Sequence, residues 1–204
     1  MQATTIPQAL VFLDFFGIAV FAISGALVAA QLRRDFVTFG FFSVVTGVGG
    51  GTLRDLLIDA PVFWVHTNAT LLICFGAAFA TWLTSKKITG RALLWFDAAG
   101  LAAYSAYGAA KALIFGVAPV PAFVMGVLTA CAGGIIRDVL AGQPSILLRH
   151  EIYITAAALA SGLFVALTIA GLHNFPAALI AGVSGFVLRG LAIARGWSLP
   201  AYRG

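Results

Sequence analysis

The chain alternates between long apolar segments and short polar connections along its 204 residues. Seven apolar segments can be recognised, and each is long enough, at about 20 residues, to cross the hydrocarbon layer of a membrane as a helix. They lie at residues 10–32, 36–58, 66–85, 92–114, 119–141, 151–171 and 175–195. The pattern predicts an all-α membrane protein with seven transmembrane helices, in which residues 1–204 form a single transmembrane domain.

Transmembrane β-strands are not favoured by this pattern. They require apolar and polar residues to alternate over about ten positions, whereas residues 71–75 and 152–154 are apolar without alternation. The composition agrees with helices in a membrane, because 61% of the residues are hydrophobic and only 9% are charged, against about 25% charged in soluble domains.

An eight-residue signature occurs twice in the chain. It reads GGTLRDLL at residues 50–57 and GGIIRDVL at residues 133–140, and each copy has a proline four residues later. The same offset of 83 residues pairs Asp14 with Asp97 without a gap. We therefore predict a first three-helix repeat at 10–85, a second at 92–171, and a seventh helix at 175–195 that has no counterpart.

The two repeats are predicted to be inverted. Each contains three spans, and because three is odd, the second repeat enters the membrane from the opposite side. Inverted repeats are a recurring plan of transporters, in which discontinuous helices meet at a site near the middle of the membrane. The plan places the functional site between the two halves.

Glycines precede the Arg-Asp pair in the second helix of each repeat. They are Gly49, Gly50 and Gly51 in the first copy, and Gly133 and Gly134 after Ala132 in the second. Glycine lowers helix stability by about 1 kcal/mol relative to alanine and occurs at bends. We expect two bent helices whose freed carbonyls line a polar path. The alternative is that the glycines only permit close packing of helices.

Hydroxyl groups near the glycines extend this expected path. Thr52 follows the first glycine cluster, and Thr46 and Thr129 occupy matched positions in the two repeats. Ser24 and Tyr107 are also matched, on the first helix of each repeat. We assign Thr52 and Ser24 to the lining of the path together with the glycines.

Charged residues inside apolar sequence are costly and often mark functional sites. We assign to the pore or its gating Asp14, Arg54, Asp55, Asp97, Lys111, Arg137 and Asp138. Adjacent residues on a helix point about 100° apart, so each Arg-Asp pair is expected to find partners on other helices. Asp14 and Asp97 are the natural partners of the two arginines. A purely structural network of ion pairs is the alternative.

Lys111 breaks the symmetry of the repeats, because its counterpart is Val28. Snorkelling of its ammonium to the membrane interface is one explanation. A role in gating is the other, since a charge that crosses the full membrane field couples to voltage at about 2.3 kcal/mol per 100 mV.

The basic residues indicate the orientation. Nine of the twelve Lys and Arg residues lie on one side of the predicted spans, at Arg33, Arg34, Lys86, Lys87, Arg91, Arg149, Arg189, Arg195 and Arg203. The positive-inside rule then places the N-terminus outside and the C-terminus in the cytoplasm. The net charge of +5 is explained by topology, and no nucleic-acid partner is expected.

No enzyme is predicted. The sequence has no Walker motif, Ser-His-Asp order or nucleophile elbow, and His66, His150 and His173 do not have the spacing of metal ligands. We expect no cofactor and no fixed metal ion, and membrane lipid as the surrounding partner.

The doubled three-helix unit, with Gly-Gly-x-x-Arg-Asp in each second helix and a seventh helix after it, resembles the trimeric intracellular cation (TRIC) channels, in particular their prokaryotic branch. The resemblance covers nearly the whole chain. It implies a homotrimer in the cytoplasmic (inner) membrane of a prokaryote. Each protomer would have its own pore for monovalent cations, chiefly potassium, between glycine-kinked second and fifth helices.

Three functions are compatible with these residues. The first is the potassium channel. The second is a secondary transporter of a small solute such as an amino acid, because inverted repeats also serve alternating access. The third is a structural membrane subunit without transport. The repeated intramembrane charges favour the first two.

Overall fold

Seven α-helices follow one another in the computed structural model, which describes residues 7–85, 91–145 and 151–200. They are α1 (Gln8–Gln31), α2 (Phe36–Leu57), α3 (Asn68–Thr84), α4 (Ala92–Ile114), α5 (Pro119–Leu140), α6 (Ile154–Ile169) and α7 (Asn174–Arg195). Every predicted span contains one helix, so the all-α, seven-helix fold is confirmed. Lys86, Lys87, Arg149, His150 and Arg203 lie outside the described residues.

The helices differ in how well they suit a membrane by themselves. By length and composition, α1, α2, α5 and α7 are long and apolar enough to cross one. α3 and α6 have 17 and 16 residues, or about 25 Å at 1.5 Å per residue. α4 has 23 residues but is less apolar, because alanines, tyrosines and two charged residues replace large aliphatic side chains. Helices α1, α5, α6 and α7 pack around it, so little of its surface needs to suit lipid.

The outer surface of the bundle is rich in large apolar side chains. Phe12, Val37, Leu72 and Val183 are each more than 60% exposed. Soluble monomers rarely expose apolar patches of such extent. The surface is therefore suited to contact with lipid or with other helices in the membrane.

The two repeats pack in the same way. α1, α2 and α3 contact one another, as do α4, α5 and α6, and the halves meet where α1 packs on α4 and α2 packs on α5. α7 lies against α4 and α6. We call the end of the bundle at which α1 begins the N-face, and the end at which α7 ends the C-face.

Short-range signals set several helix ends. α2 begins after Asp35, whose Oδ1 accepts hydrogen bonds from the Thr38 backbone N–H at 2.8 Å and from the Thr38 hydroxyl at 3.0 Å. The hydrogen bond from the Thr38 N–H holds the pKa of the Asp35 carboxyl below its usual value, because it stabilises the charged form of the N-cap carboxylate. α5 instead begins with Pro119 in its first turn, and α7 ends at Gly196, which has a φ of 66°.

The crossing of α2 and α5 brings two glycines against backbone. A methyl group added at Gly50 would run into the carbonyl oxygen of Thr129, and one added at Gly133 would run into that of Thr46. The contact is reciprocal, because both pairs are repeat counterparts. Both helices continue through their glycines as α-helix. The structure thus shows the close packing that was the alternative explanation of the glycines, and the bend stays a prediction.

We predict that Gly50→Ala and Gly133→Ala each destabilise the bundle. The added methyl group meets a backbone carbonyl, which cannot rotate away as a side chain can, and overpacking of this kind costs about 1 to 3 kcal/mol. The measurement is the thermal midpoint of the purified protein in detergent. It is determined from the loss of the size-exclusion peak as the protein is heated.

Gly76→Ala is the matched control. It lies within α3, and a methyl group there would meet nothing within 4 Å. Because alanine favours a helix by about 1 kcal/mol over glycine, the midpoint of this variant should stay level or rise. If Gly50→Ala and Gly133→Ala both had the same midpoint as wild type, the close packing of α2 against α5 at these glycines would be contradicted.

Candidate functional site

The first charged cluster lies near the N-face, and we call it the N-face cluster. Its members are Asp14 on α1, Arg54 and Asp55 on α2, and Lys111 on α4, all of them buried. Asp55 is its centre. Its Oδ1 accepts from Arg54 Nε at 2.8 Å and contacts Lys111 Nζ at 2.8 Å. Its Oδ2 accepts from Lys111 Nζ at 2.9 Å and from the backbone N–H of Phe63 at 3.1 Å.

Aromatic rings cover the two cations of the N-face cluster. The guanidinium carbon of Arg54 lies 5.0 Å from the ring centre of Tyr107 and 5.9 Å from that of Phe63. Lys111 Nζ lies 5.7 Å from the Phe63 ring centre and 5.8 Å from that of Phe115. Rings at these distances attract a cation through their electron-rich faces. Lys111 therefore points inward, and snorkelling does not explain it.

Asp14 is the member of this cluster that has no direct ion pair among the described residues. Within the described ranges it forms no direct ion pair with Arg54, and its buried Oδ1 has no hydrogen-bond partner. Its polar neighbours are Tyr104 and Tyr107, and Arg54 acts on it only through its charge. The expectation that Asp14 is the direct partner of one of the two arginines was wrong, because Arg54 turns toward Asp55.

The second cluster lies near the C-face, and we call it the C-face cluster. It contains Ser24 on α1, Asp97 on α4, and Arg137 and Asp138 on α5. Arg137 Nη1 donates to Asp97 Oδ1 at 2.6 Å and to Ser24 Oγ at 3.0 Å. Arg137 Nε donates to Asp138 Oδ1 at 2.9 Å. Asp97, one of the two aspartates expected to partner the arginines, thus pairs with Arg137.

In each of the two Arg-Asp pairs, the arginine contacts the adjacent aspartate directly. The distance from Nε to Oδ1 is 2.8 Å for Arg54 and Asp55 and 2.9 Å for Arg137 and Asp138. The expectation that adjacent residues point too far apart to pair was therefore wrong. The separation of about 100° applies to the Cβ directions, and the three methylenes of arginine are long enough to bring its guanidinium back to the neighbouring carboxylate.

The two clusters differ in their described cations. Among the described residues, the N-face cluster has Arg54 and Lys111 with two carboxylates, whereas the C-face cluster has Arg137 with two carboxylates. The difference comes from Lys111, since the matching position of the other repeat is Val28. Tyr107 and Ser24 are also unlike counterparts.

A cavity of about 180 Å³ opens beside the C-face cluster, and we call it the C-face cavity. Its lining combines the C-face charges, two amides and apolar side chains. The lining residues are Val28, Gln31, Leu32, Leu93, Leu94, Asp97, Arg137, Asp138, Gln143 and Pro144. The cavity thus connects the C-face cluster with the C-face of the bundle.

The predicted glycines lie between or beside the clusters. A methyl group at Gly51 would meet the Phe63 ring, and one at Gly134 would lie 3.1 Å from the Tyr153 hydroxyl and 3.4 Å from Asp97 Oδ1. Gly49 faces Ile136 of α5.

The predicted hydroxyls are mostly engaged. Thr52 donates to the Val48 carbonyl at 2.8 Å and accepts from Trp64 Nε1 at 2.9 Å. Its hydroxyl therefore connects α2 to the loop that follows it by a hydrogen bond. Thr129 donates to the Met125 carbonyl at 2.6 Å. The buried Thr46 hydroxyl has no hydrogen-bond partner in the described part of the chain.

The sequence analysis missed an ion pair that links α7 to the start of α6. Arg189 is 1% exposed, and its Nη2 lies 2.5 Å from Glu151 Oε2. Its guanidinium also lies 5.4 Å from the ring centre of Tyr153, whose hydroxyl is beside Asp97. Arg189 was counted only as a topology signal. Its position well inside the apolar sequence of the seventh span was the available hint.

Comparisons with known proteins agree with the duplicated plan. A protein-family model described as "Glycine transporter" matches the chain twice, at residues 11–86 and 94–169. Both bounds of the second match are shifted by 83 residues, the offset of the signature. The chain belongs to this family.

Relatives of this family member are bacterial membrane proteins. A UPF0126 membrane protein of Vibrio cholerae is 39% identical over 209 residues, covering 98% of this chain and 85% of the relative. The UPF0126 inner membrane protein YadS of Escherichia coli K12 is 43% identical over 148 residues, covering 71% and 72%.

Solved structures with the same fold are TRIC channels, which confirms the resemblance to their prokaryotic branch. The TRIC orthologue from Rhodobacter sphaeroides has a TM-score of 0.90 at 42% identity, covering 94% of this family member and all of that chain. A prokaryotic TRIC channel crystallised in 0.5 M KCl has a TM-score of 0.87 at 27% identity, covering 94% and 99%.

The unequal pairing of Asp14 and Asp97 leads to a stability prediction. Asp97→Asn removes a buried, charge-assisted bond to Arg137 and should cost about 1.5 to 3 kcal/mol. Asp14→Asn removes a buried carboxylate that has no direct ion pair and should have a smaller effect or raise stability. The thermal midpoints of the two variants are measured in the same detergent and compared with that of wild type. An equal or larger loss for Asp14→Asn would contradict the pairing seen here.

Proposed function

We propose that the protein is a monovalent cation channel, chiefly for potassium, with one pore in each protomer between α2 and α5. The observation that carries the proposal is the pair of buried charged clusters on either side of the α2–α5 crossing. Two carboxylates in each cluster favour cations over anions along the route. The 42% identity with the Rhodobacter sphaeroides TRIC orthologue supports the same function.

The proposed route runs from the C-face cavity, past the crossing, to the N-face cluster. It is closed in the conformation described here, because the glycines bring the backbones of α2 and α5 into contact. Opening requires these helices to separate. Small residues on both sides bury little apolar area, which keeps the free energy of separation low.

Lys111 is proposed to close the route at the N-face. Its ammonium touches both oxygens of Asp55 and occupies space that a passing cation would need. A positive charge in this position responds to membrane voltage. Release of Lys111 from Asp55 would return a carboxylate to the route and remove the repulsion for cations.

The assembly and location follow from the same comparison. We propose a homotrimer in the inner membrane of a prokaryote, with the N-face outside and the C-face in the cytoplasm. The TRIC structures are named as trimeric channels, and the relative YadS is named an inner membrane protein. The Lys and Arg residues of the C-face side support this orientation.

A secondary transporter of a small amino acid is the second candidate. The name of the matching family model, "Glycine transporter", favours it. The C-face cavity also has both carboxylates and a guanidinium, which are the charges that would complement a zwitterion. The guanidinium of Arg137 is already engaged by Asp97 and Asp138, which is why the channel is preferred.

Recordings from purified protein in planar bilayers distinguish the two functions. Under a potassium chloride gradient, a channel should give unitary current steps whose reversal potential follows the potassium gradient. Replacing potassium by sodium on one side measures the preference between them. In parallel, proteoliposomes are tested for uptake of radiolabelled glycine. Glycine uptake without unitary current steps would contradict the channel proposal and support the transporter.

We predict that Lys111→Ala raises the open probability and reduces its dependence on voltage. The variant removes the ammonium that covers Asp55, together with one charge worth up to about 2.3 kcal/mol per 100 mV. Arg195→Ala is the control, because it removes one positive charge from an exposed position at the end of α7. If the open probability and voltage dependence of Lys111→Ala matched those of both wild type and Arg195→Ala, Lys111 would have no role in gating.

A further inference from the structure

We propose that a pocket at the C-face end of the first repeat binds one anionic phospholipid, whose phosphate is held by Arg33 and Arg34. We call it the arginine pocket. It lies between the end of α1, the start of α2 and the end of α3, and none of its lining residues lines the C-face cavity. The inference goes beyond the proposed channel, because the pocket is separate from the proposed route and its occupancy does not depend on conduction.

The two arginines of this pocket have no acidic partner among the described residues. Arg33 and Arg34 form no ion pair with any residue in the described ranges. Asp35 follows them directly, but its carboxylate accepts hydrogen bonds from Thr38 at the start of α2 and it does not line the pocket. Guanidinium groups bind phosphate through paired, charge-assisted hydrogen bonds. The pocket therefore presents two cationic groups that suit a phosphate.

Arg33 adopts a backbone conformation that glycine adopts more easily. Its φ is 52°, in the left-handed region that residues with a side chain enter only at a cost in free energy. Its repeat counterpart is Gly116, with a φ of 80°. Both helices end in the same way, because the N–H of the next residue donates at 3.0 Å to the carbonyl five positions earlier. Glycine is the residue that such a helix end favours. The arginine side chain is present in spite of this preference.

Two general roles of basic residues do not account for an arginine at this position. The positive-inside rule counts bases anywhere in a short cytoplasmic loop, and a base near the end of α1 complements the helix dipole. Both roles are open to a neighbouring residue without a positive φ, as Arg34 shows. Contact between the Arg33 side chain and a ligand in the pocket gives a reason that is specific to this position.

The other residues of the pocket suit the remaining parts of a phospholipid. Trp82 and Ser85 line it, and their indole N–H and hydroxyl can donate to phosphate or glycerol oxygens. The Trp82 ring packs edge-on against Phe39 and Phe36, with ring centres 5.0 Å and 5.8 Å away, and Leu83 beside it is exposed. Tryptophan is enriched at the level of the lipid headgroups. The pocket thus joins basic groups to an apolar wall on which an acyl chain can lie.

The second repeat does not have this combination at the matching place. The counterparts of the two arginines and the tryptophan are a glycine and two valines, Gly116, Val117 and Val165. These positions lie toward the N-face, because α4 and α6 run opposite to α1 and α3. The arginine pocket has a volume of about 570 Å³, within the range of about 300 to 1,000 Å³ that is typical of small-ligand sites. We therefore assign the lipid to the C-face only.

Native mass spectrometry tests the site by counting the lipids bound to purified, delipidated protein in detergent. Phosphatidylglycerol and phosphatidylcholine with the same acyl chains are compared, because only the first has a net negative charge. Wild-type protein should bind one phosphatidylglycerol per chain at least about tenfold more tightly than phosphatidylcholine. Equal binding of the two lipids would overturn the proposal.

Arg33→Gly separates the effect of the side chain from that of the backbone. It removes one guanidinium and should weaken phosphatidylglycerol binding by at least about tenfold. Its thermal midpoint without lipid should stay level or rise, because glycine fits the left-handed φ. Arg91→Ala is the matched control, since it removes one exposed positive charge at the C-face from outside the pocket, and it should bind within about twofold of wild type. If Arg33→Gly bound phosphatidylglycerol as tightly as Arg91→Ala does, the site would be refuted.

Glycerol 3-phosphate distinguishes a membrane lipid from a soluble phosphate as the occupant. It has the phosphate and glycerol of the lipid without the acyl chains, so at equal concentration it should not displace phosphatidylglycerol. Displacement would overturn the lipid as the occupant of the pocket. All of these readouts are independent of ion flux, and they test the pocket whether or not the protein conducts potassium.

Discussion

A charged side chain inside a membrane protein needs a partner at its own depth, and the arrangement of the helix bundle depends on this requirement. Arg54 and Arg137 are among the largest fully buried side chains of the described chain. Each pairs with the aspartate that follows it on its own helix. α4 adds a further ionic partner to each cluster, Lys111 to one and Asp97 to the other, and α1 adds Ser24 to the second.

α4 contributes to both clusters, and its Lys111 links it to α2 of the other half. Asp97 lies near its start and binds α5, while Lys111 lies near its end and binds α2. The charge of Lys111 also suits the helix, because a base in the last turn complements the helix dipole. A displacement of α4 relative to α2 and α5 would disturb both ion pairs at once.

The sequence was sufficient for the architecture, because apolar length and the offset of 83 residues are properties of the chain alone. It also indicated Asp97 as a partner of one of the two arginines, though not of which one. It was not sufficient for the partner of Asp55, since the choice between Arg54 alone and Arg54 with Lys111 depends on side-chain reach across helices. The role of the glycines was equally hidden. Gly50 and Gly133 could bend a helix or admit a neighbour, and only the position of the facing carbonyls shows that they admit one.

The inequality of the two repeats matters more for function than their likeness. Two identical inverted halves would present the same site to both sides of the membrane and would distinguish neither direction nor voltage sign. Replacing a valine by a lysine at one of two matched positions breaks that equivalence, because Lys111 closes its own cluster while Val28 leaves a cavity beside the other. The two clusters therefore differ although the two repeats pack in the same way.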